Sequence, residues 1–199
     1  MNGVDPSIDA ISISFKDTVT LNGFHYVLVI CDTKNGYQHG HTFGCTNYFF
    51  LTSFKNTWFV KYSILHSEPD PLGDNPAYEI VAIGKDKRAL VSYFESTGNH
   101  HYEKSLALYY IQEGTLTPVF YLDSEYSNVA WKLPESVEDP CNGYREVEEY
   151  VIVPSNQQWY DIHVKKSSYN YGAGCEEEIL KQQIESTYRY INTKYSKVE

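Results

Sequence analysis

Polar and apolar residues alternate along most of this chain with the two-residue period of a β-strand. The clearest run lies between Tyr78 and Leu122, where YEIVAIG, ALVSYFES, SLALYYIQ and LTPVFYL are separated by KDKR, TGNHHYEK and EGT. Three hairpin connections in a row predict an antiparallel meander. Upstream, ISISFK (11–16) places Ile11, Ile13 and Phe15 on one face. Asn22-Gly23 then signals a hairpin turn into FHYVLVICDT (24–33). CTNYFFLTSF (45–54), Lys55-Asn56 and TWFVKYSIL (57–65) read as a further hairpin, and GYQHGHTFG before it as a loop.

Downstream of the meander, REVEEYVIVP (145–154) and WYDIHVKKS (159–167) read as strands, and YNYGAG (169–174) as a turn. Pro118 demotes its strand to a sheet edge, because proline cannot donate to the ladder. The tail carries two patterns. EEEILKQQIE has helical propensity, with Leu180, Ile184, Tyr188 and Ile191 in a helical stripe, whereas TYRYINTKY is strand-like. A final strand near 187–195 is expected, with a short helix before it as the alternative. The fold class is therefore all-β and mainly antiparallel: a β-sandwich or open barrel with a central meander and at most one or two short helices. Residues 1–10 read as a loose leader, and 11–199 as a single β-rich domain. A seam falls at 124–145, which is irregular and ends in Pro134, Pro140 and Gly143, but no linker composition there supports two independent domains.

Composition narrows the function classes. Sixteen Lys and Arg against 26 Asp and Glu give a net charge of −10. That argues against nucleic acid, whose phosphates need clustered cations, and against an anionic membrane surface. It suits a basic protein partner. No apolar run approaches the ~20 residues of a transmembrane helix, so membrane insertion is not expected. Aromatic residues make up 16% of the chain, including 19 Tyr, which suits both half-buried sheets and recognition faces. The amino terminus, MNGVDPSIDA, has no basic or apolar signal region. Cys31, Cys45, Cys141 and Cys175 allow two disulfides in three pairings. Cys141 and Cys175 sit in loop-like contexts, DPCNG and GAGCE, which favours an oxidising compartment. The expected location is periplasmic or secreted as a mature domain, with the cytoplasm as the alternative.

Each candidate for chemistry is outweighed by a plainer role. His39 and His41, flanked by Cys31 and Cys45, could form a tetrahedral metal site, but the spacing matches no familiar zinc framework. Asp161 and His163, with His25, could act as base and orienting carboxylate, but no nucleophile elbow accompanies them. Asp70 and Asp74 lack the spacing of a calcium loop. No phosphate-cradling glycine loop or dinucleotide fingerprint occurs. No cofactor is expected and the chain reads as non-enzymatic. Recognition is assigned instead to connections, through Glu68, Asp70 and Asp74 of the 67–76 loop and Asn99, His100, His101 and Tyr102 of the meander turn.

Several segments in succession carry a resemblance. NTWFVKYSIL, YEIVAIG, a hairpin pair, a Cys-containing loop, WYDIHV and a closing Tyr-rich strand follow one another. In this order the chain resembles uncharacterised β-rich proteins exported by Gram-negative bacteria, some of which are immunity proteins. The resemblance implies a periplasmic inhibitor that blocks an antibacterial effector, and it transfers no catalytic residue. The expected function is a protein-binding inhibitor of this kind, with a basic toxin or effector enzyme as partner. The alternatives are a glycan- or small-ligand-binding β-sandwich using Tyr48, Trp58, Tyr109, Trp131 and Trp159, and a protein with a structural role. The sequence leaves the oligomeric state open.

Overall fold

The structure, a computed structural model, describes residues 8–38, 41–65, 78–97, 102–112, 115–128, 143–172, 175 and 177–198. It is all-β and antiparallel, and no α-helix occurs among the described residues. Two compact units are present: residues 1–77 with 111–116, and residues 78–110 with 117–199. The main division falls before Tyr78, with 111–116 grouped with the first unit.

The first unit is built on a four-stranded sheet in sequence order: β1 (Ile8–Leu21), β2 (Phe24–Gln38), β3 (His41–Phe54) and β4 (Thr57–Leu65). Its strands outrun their sequence signals. β2 and β3 continue through the expected histidine loop until Gln38 pairs with His41. Asn22 and Gly23 take φ values of 52° and 79°, the left-handed pair that a two-residue type I′ turn requires. One sheet face is closely packed, with Leu21, Leu28, Tyr48 and Phe50 fully buried. Tyr26 meets Phe50 and Tyr62 edge-on at ring separations of 6.1 and 5.8 Å. Burial and the neighbouring Tyr62 push the Tyr26 phenol up to about 12.

The second unit carries eight strands, again in sequence order: β5 (Tyr78–Gly84), β6 (Lys87–Thr97), β7 (Tyr102–Gln112), β8 (Thr115–Ser127), β9 (Tyr144–Val153), β10 (Asp161–Tyr171), β11 (Glu178–Ile191) and β12 (Lys194–Lys197). The expected meander is β5 to β8, and β9 to β12 form a second. The ladder joining them is short, with Glu125–Ser127 set against Arg145–Val147. Beyond it the two meanders face one another across a shared core of Ile83, Val91, Leu106, Leu108, Phe120, Leu122, Ile162 and Val164. Phe120 packs edge-on against Tyr188 and Tyr195 at 5.3 and 6.0 Å. The far edges meet where Gly84 bridges Trp159 and the Tyr195 hydroxyl donates to the Ile83 carbonyl at 3.1 Å. The sheet is curled and pinned at one corner without closing as a barrel.

Three sequence expectations need correction here. Pro118 lies on a strand interior to the sheet order, not on an edge strand. It is tolerated because the ladder to β9 begins only at Glu125, so the missing N–H forfeits no bond on that side. The expected turn at 169–174 starts later, since β10 runs to Tyr171. The tail contains no helix over 178–186; β11 is one continuous strand. Ten residues of β10 find ladder partners along it, and that pairing outweighs a helical preference of a few tenths of a kcal/mol per residue.

Candidate protein interface

The first unit ends in two hairpin turns whose flanking residues are large, apolar and open to solvent. Val27 pairs with Leu51, so Phe24, three residues before Val27, and Phe54, three residues after Leu51, lie at the same end of the sheet, where β2 begins and β3 ends. Phe24 is 66% exposed and Phe54 64%. On β4, Trp58 and Val60 pair with Ser53 and Leu51, while Phe59 pairs with Thr52. Alternation therefore places Trp58 and Val60 on one face and Phe59 on the other. Trp58 is 57% exposed and Val60 53%. Isolated exposed apolar residues are ordinary, but four large aromatics and Val60 exposed at one end of a small sheet, on both of its faces, mark an interaction surface.

The charge of this surface opposes that of the molecule. No Asp or Glu occurs between Asp32 and Glu68, while Lys55 and Lys61 flank the exposed aromatics. The Lys55 ammonium lies 5.3 Å from the Phe54 ring centroid, and that of Lys61 5.8 Å from Tyr62. Lys55 and Asn56 form the β3–β4 turn at φ values of 49° and 65°. Lysine is a poor residue for that left-handed conformation, so the turn holds its cation at a cost in backbone strain. Asn22 in the neighbouring turn also donates from its side chain to the Ile111 carbonyl at 3.4 Å.

A second concentration of functional groups lies on the core-facing side of β9. Tyr150 and Ile152 pack on the core, and strand alternation sets Tyr144, Glu146 and Glu148 on the same face. Lys166 of β10 bonds Glu146 at 2.9 Å and Glu148 at 3.2 Å, and Ser168 donates to Glu146 at 3.2 Å. Burial works to raise the Glu146 carboxyl, but hydrogen bonds from Tyr144 and Lys166 outweigh it and hold the group below its ordinary value. Arg145, on the opposite face, joins Glu125 at 2.8 Å to Glu178 at 2.7 Å. Tyr171 donates to Glu178 at 2.8 Å, and these bonds from Tyr171 and Arg145 lower the Glu178 carboxyl. Among the described residues no buried side-chain polar atom lacks a partner. Each charge in these networks is answered by another, which is the signature of cross-strand fastening.

No known family, curated protein or solved structure matches the chain.

Glu68, Asp70, Asp74, Asn99, His100, His101, His39, Cys141 and Trp131 lie outside the described residues. Tyr102 opens β7 and is half-buried. The Cα partners of Cys31 and Cys45 are Asn47 and Thr33, so these cysteines sit diagonally across the β2–β3 hairpin rather than opposite one another. Diagonal neighbours are about 7–8 Å apart, wider than a disulfide spans without backbone movement. Cys175 is disulfide-bonded, to a cysteine whose side chain lies outside the description. No group of three metal-binding side chains occurs among the described residues.

Two residues weighed as base and orienting carboxylate have other partners. Arg189 grips both Asp161 oxygens at 3.2 and 3.0 Å, and His25 is hydrogen-bonded to the Thr20 hydroxyl at 2.9 Å. Of the expected sugar-stacking aromatics, Tyr48 is buried and Tyr109 half-buried. Trp159 stacks on Tyr190 at 3.5 Å and also carries the Lys87 ammonium 4.5 Å from its ring. Trp58 alone of the described members stands open. Sequence reading missed Phe24, Phe54, Phe59 and Val60. Their signal was present as aromatics bracketing two hairpin turns inside an acid-free segment.

Proposed function

We propose that this protein is a non-enzymatic protein-binding inhibitor. The role we assign is that of an immunity protein, which neutralises a secreted antibacterial effector in an oxidising compartment. The observation that carries the protein-binding reading is the exposed Phe24–Phe54–Trp58–Phe59–Val60 surface, which is apolar, aromatic and rimmed by lysine. Interface centres are enriched in such residues, and tryptophan is among the commonest energetic anchors. The inhibitory role rests on the resemblance of the strand sequence to exported β-rich proteins. The disulfide at Cys175 supports the oxidising compartment.

The test is protection. Sensitive bacteria producing this chain in the periplasm should survive the effector encoded by the adjacent gene. Cells producing the double variant Trp58→Ser, Phe59→Ser should die, although that protein accumulates folded. Absence of protection by the wild-type chain would overturn the inhibitor reading. Full protection by the double variant would remove this surface from the mechanism.

A further inference from the structure

We infer that the outer edge of β4 receives an extended, acidic segment of the partner as an added strand. This inference rests on the protein-binding reading above and deepens it. In the sheet order β4 is an end strand, so one row of its backbone donors and acceptors has no described strand beside it. Residues Thr57 to Lys61 are exposed in succession. An open edge of this kind is a template for another strand, whose alternate side chains contact the two faces. Both faces of β4 are prepared for that contact, with Trp58 and Val60 on one and Phe59 on the other.

The lysines select which strand can bind. The β3–β4 ladder breaks between Phe50↔Tyr62 and Leu51↔Val60, leaving Lys61 as the extra residue of a β-bulge. A charged lysine at a bulged edge is a common guard against edge-to-edge pairing. A second copy of this chain would bring a second Lys61 and Lys55 and no nearby carboxylate, since the segment between Asp32 and Glu68 is acid-free. A strand bearing Asp or Glu meets the same lysines as counter-charges. The guard that disfavours self-pairing therefore becomes the selector for an acidic partner. Net charge alone pointed to a basic partner; the local charge at this edge points to an acidic segment within it.

Backbone amide exchange on the intact, isotope-labelled chain tests this directly. The probes are synthetic nine-residue peptides, matched to the nine residues of β4, alternating Val with Glu or Val with Lys. Alternate N-methylation keeps them from pairing with themselves. At low salt the Glu peptide should slow exchange across Thr57–Leu65 by about tenfold or more, and the Lys peptide should not. Lys61→Glu should reverse that preference. No protection by either peptide, or equal protection by both, would overturn the inference. So would protection of the same amides by phosphatidylglycerol vesicles alone, which would make the surface a membrane contact. If the peptides fail while the Trp58/Phe59 variant still loses protection against the effector, only the added strand falls. If both fail, the protein-binding reading falls with it.

Discussion

Single residues carry two local tensions that can be measured. Lys55 sits at φ 49° where asparagine or glycine would be relaxed, and it flanks the exposed aromatics of the proposed interface. Lys55→Asn should raise stability by about 1 kcal/mol, seen as a higher urea midpoint with unchanged slope. The same change should weaken partner binding, because it removes a cation from the aromatic surface. Gly84 poses the opposite problem. A methyl group there would run into the Gln158 carbonyl, at the point where β5 bridges to the segment preceding β10. Gly84→Ala should therefore destabilise the second unit by about 1–3 kcal/mol in chemical denaturation, whereas Gly23→Ala meets only the strain of its turn. Asn22-Gly23 is the residue-scale feature most legible in sequence, because its turn type demands positive φ at both positions. The I′ turn at Lys55-Asn56 was legible as a turn, but its strain was not, since lysine gives no hint of a left-handed backbone.

At the scale of elements, strand identity was readable wherever alternation was clean, as in β4, β5 and β9. It failed where the partner strand decides the outcome. The Glu178–Ser186 segment has helical propensity and a helical stripe, yet it extends because β10 offers it a continuous ladder. Pro118 looked like an edge marker because sequence cannot show where a ladder starts. β12 pairs only with Tyr188–Ile191, so the first part of β11 has no described strand on that side, and it shares a device with the β4 edge: Lys181 is the extra residue of the bulge on β11, as Lys61 is on β4. Exposed Ile179, Leu180 and Ile184 surround Lys181, so an unguarded β11 edge would be adhesive. Lys181→Val should give concentration-dependent dimers or aggregates in sedimentation, and Lys181→Arg should stay as wild type. The cross-strand ion pairs set an acid limit. The Glu146 and Glu178 carboxyls are held below their ordinary 4.5, so the stability they contribute is complete above that pH. It is lost as pH falls through their lowered values, because the unfolded chain then binds more protons. Thermal midpoints measured from neutral pH down to about 3 should fall below 4.5, less steeply in Glu146→Gln than in wild type.

At the scale of the whole molecule, an acidic chain presents one acid-free, lysine-rimmed aromatic surface on its smaller sheet. The fold class was legible because alternation and turn chemistry repeat along the chain. The surface was not, because alternation assigns residues to two faces without saying that both faces of β4 lie open. Trp58 was readable as an exposed aromatic, and it gained meaning only when the register brought Phe24, Phe54 and Phe59 to the same end. The disulfide belongs to this scale too. Cys141 and Cys175 sit in the loop-like contexts DPCNG and GAGCE, which makes Cys141 the partner we expect for Cys175. Peptide mapping without reduction should recover that pair, and recovery of Cys31 joined to Cys175 would refute it. The central claim is tested most directly by titration calorimetry of the chain against the effector encoded by the adjacent gene. Trp58→Ala should weaken binding by about 30-fold or more, the loss of an interface anchor, with the thermal midpoint unchanged. An affinity within about twofold of wild type would contradict the account.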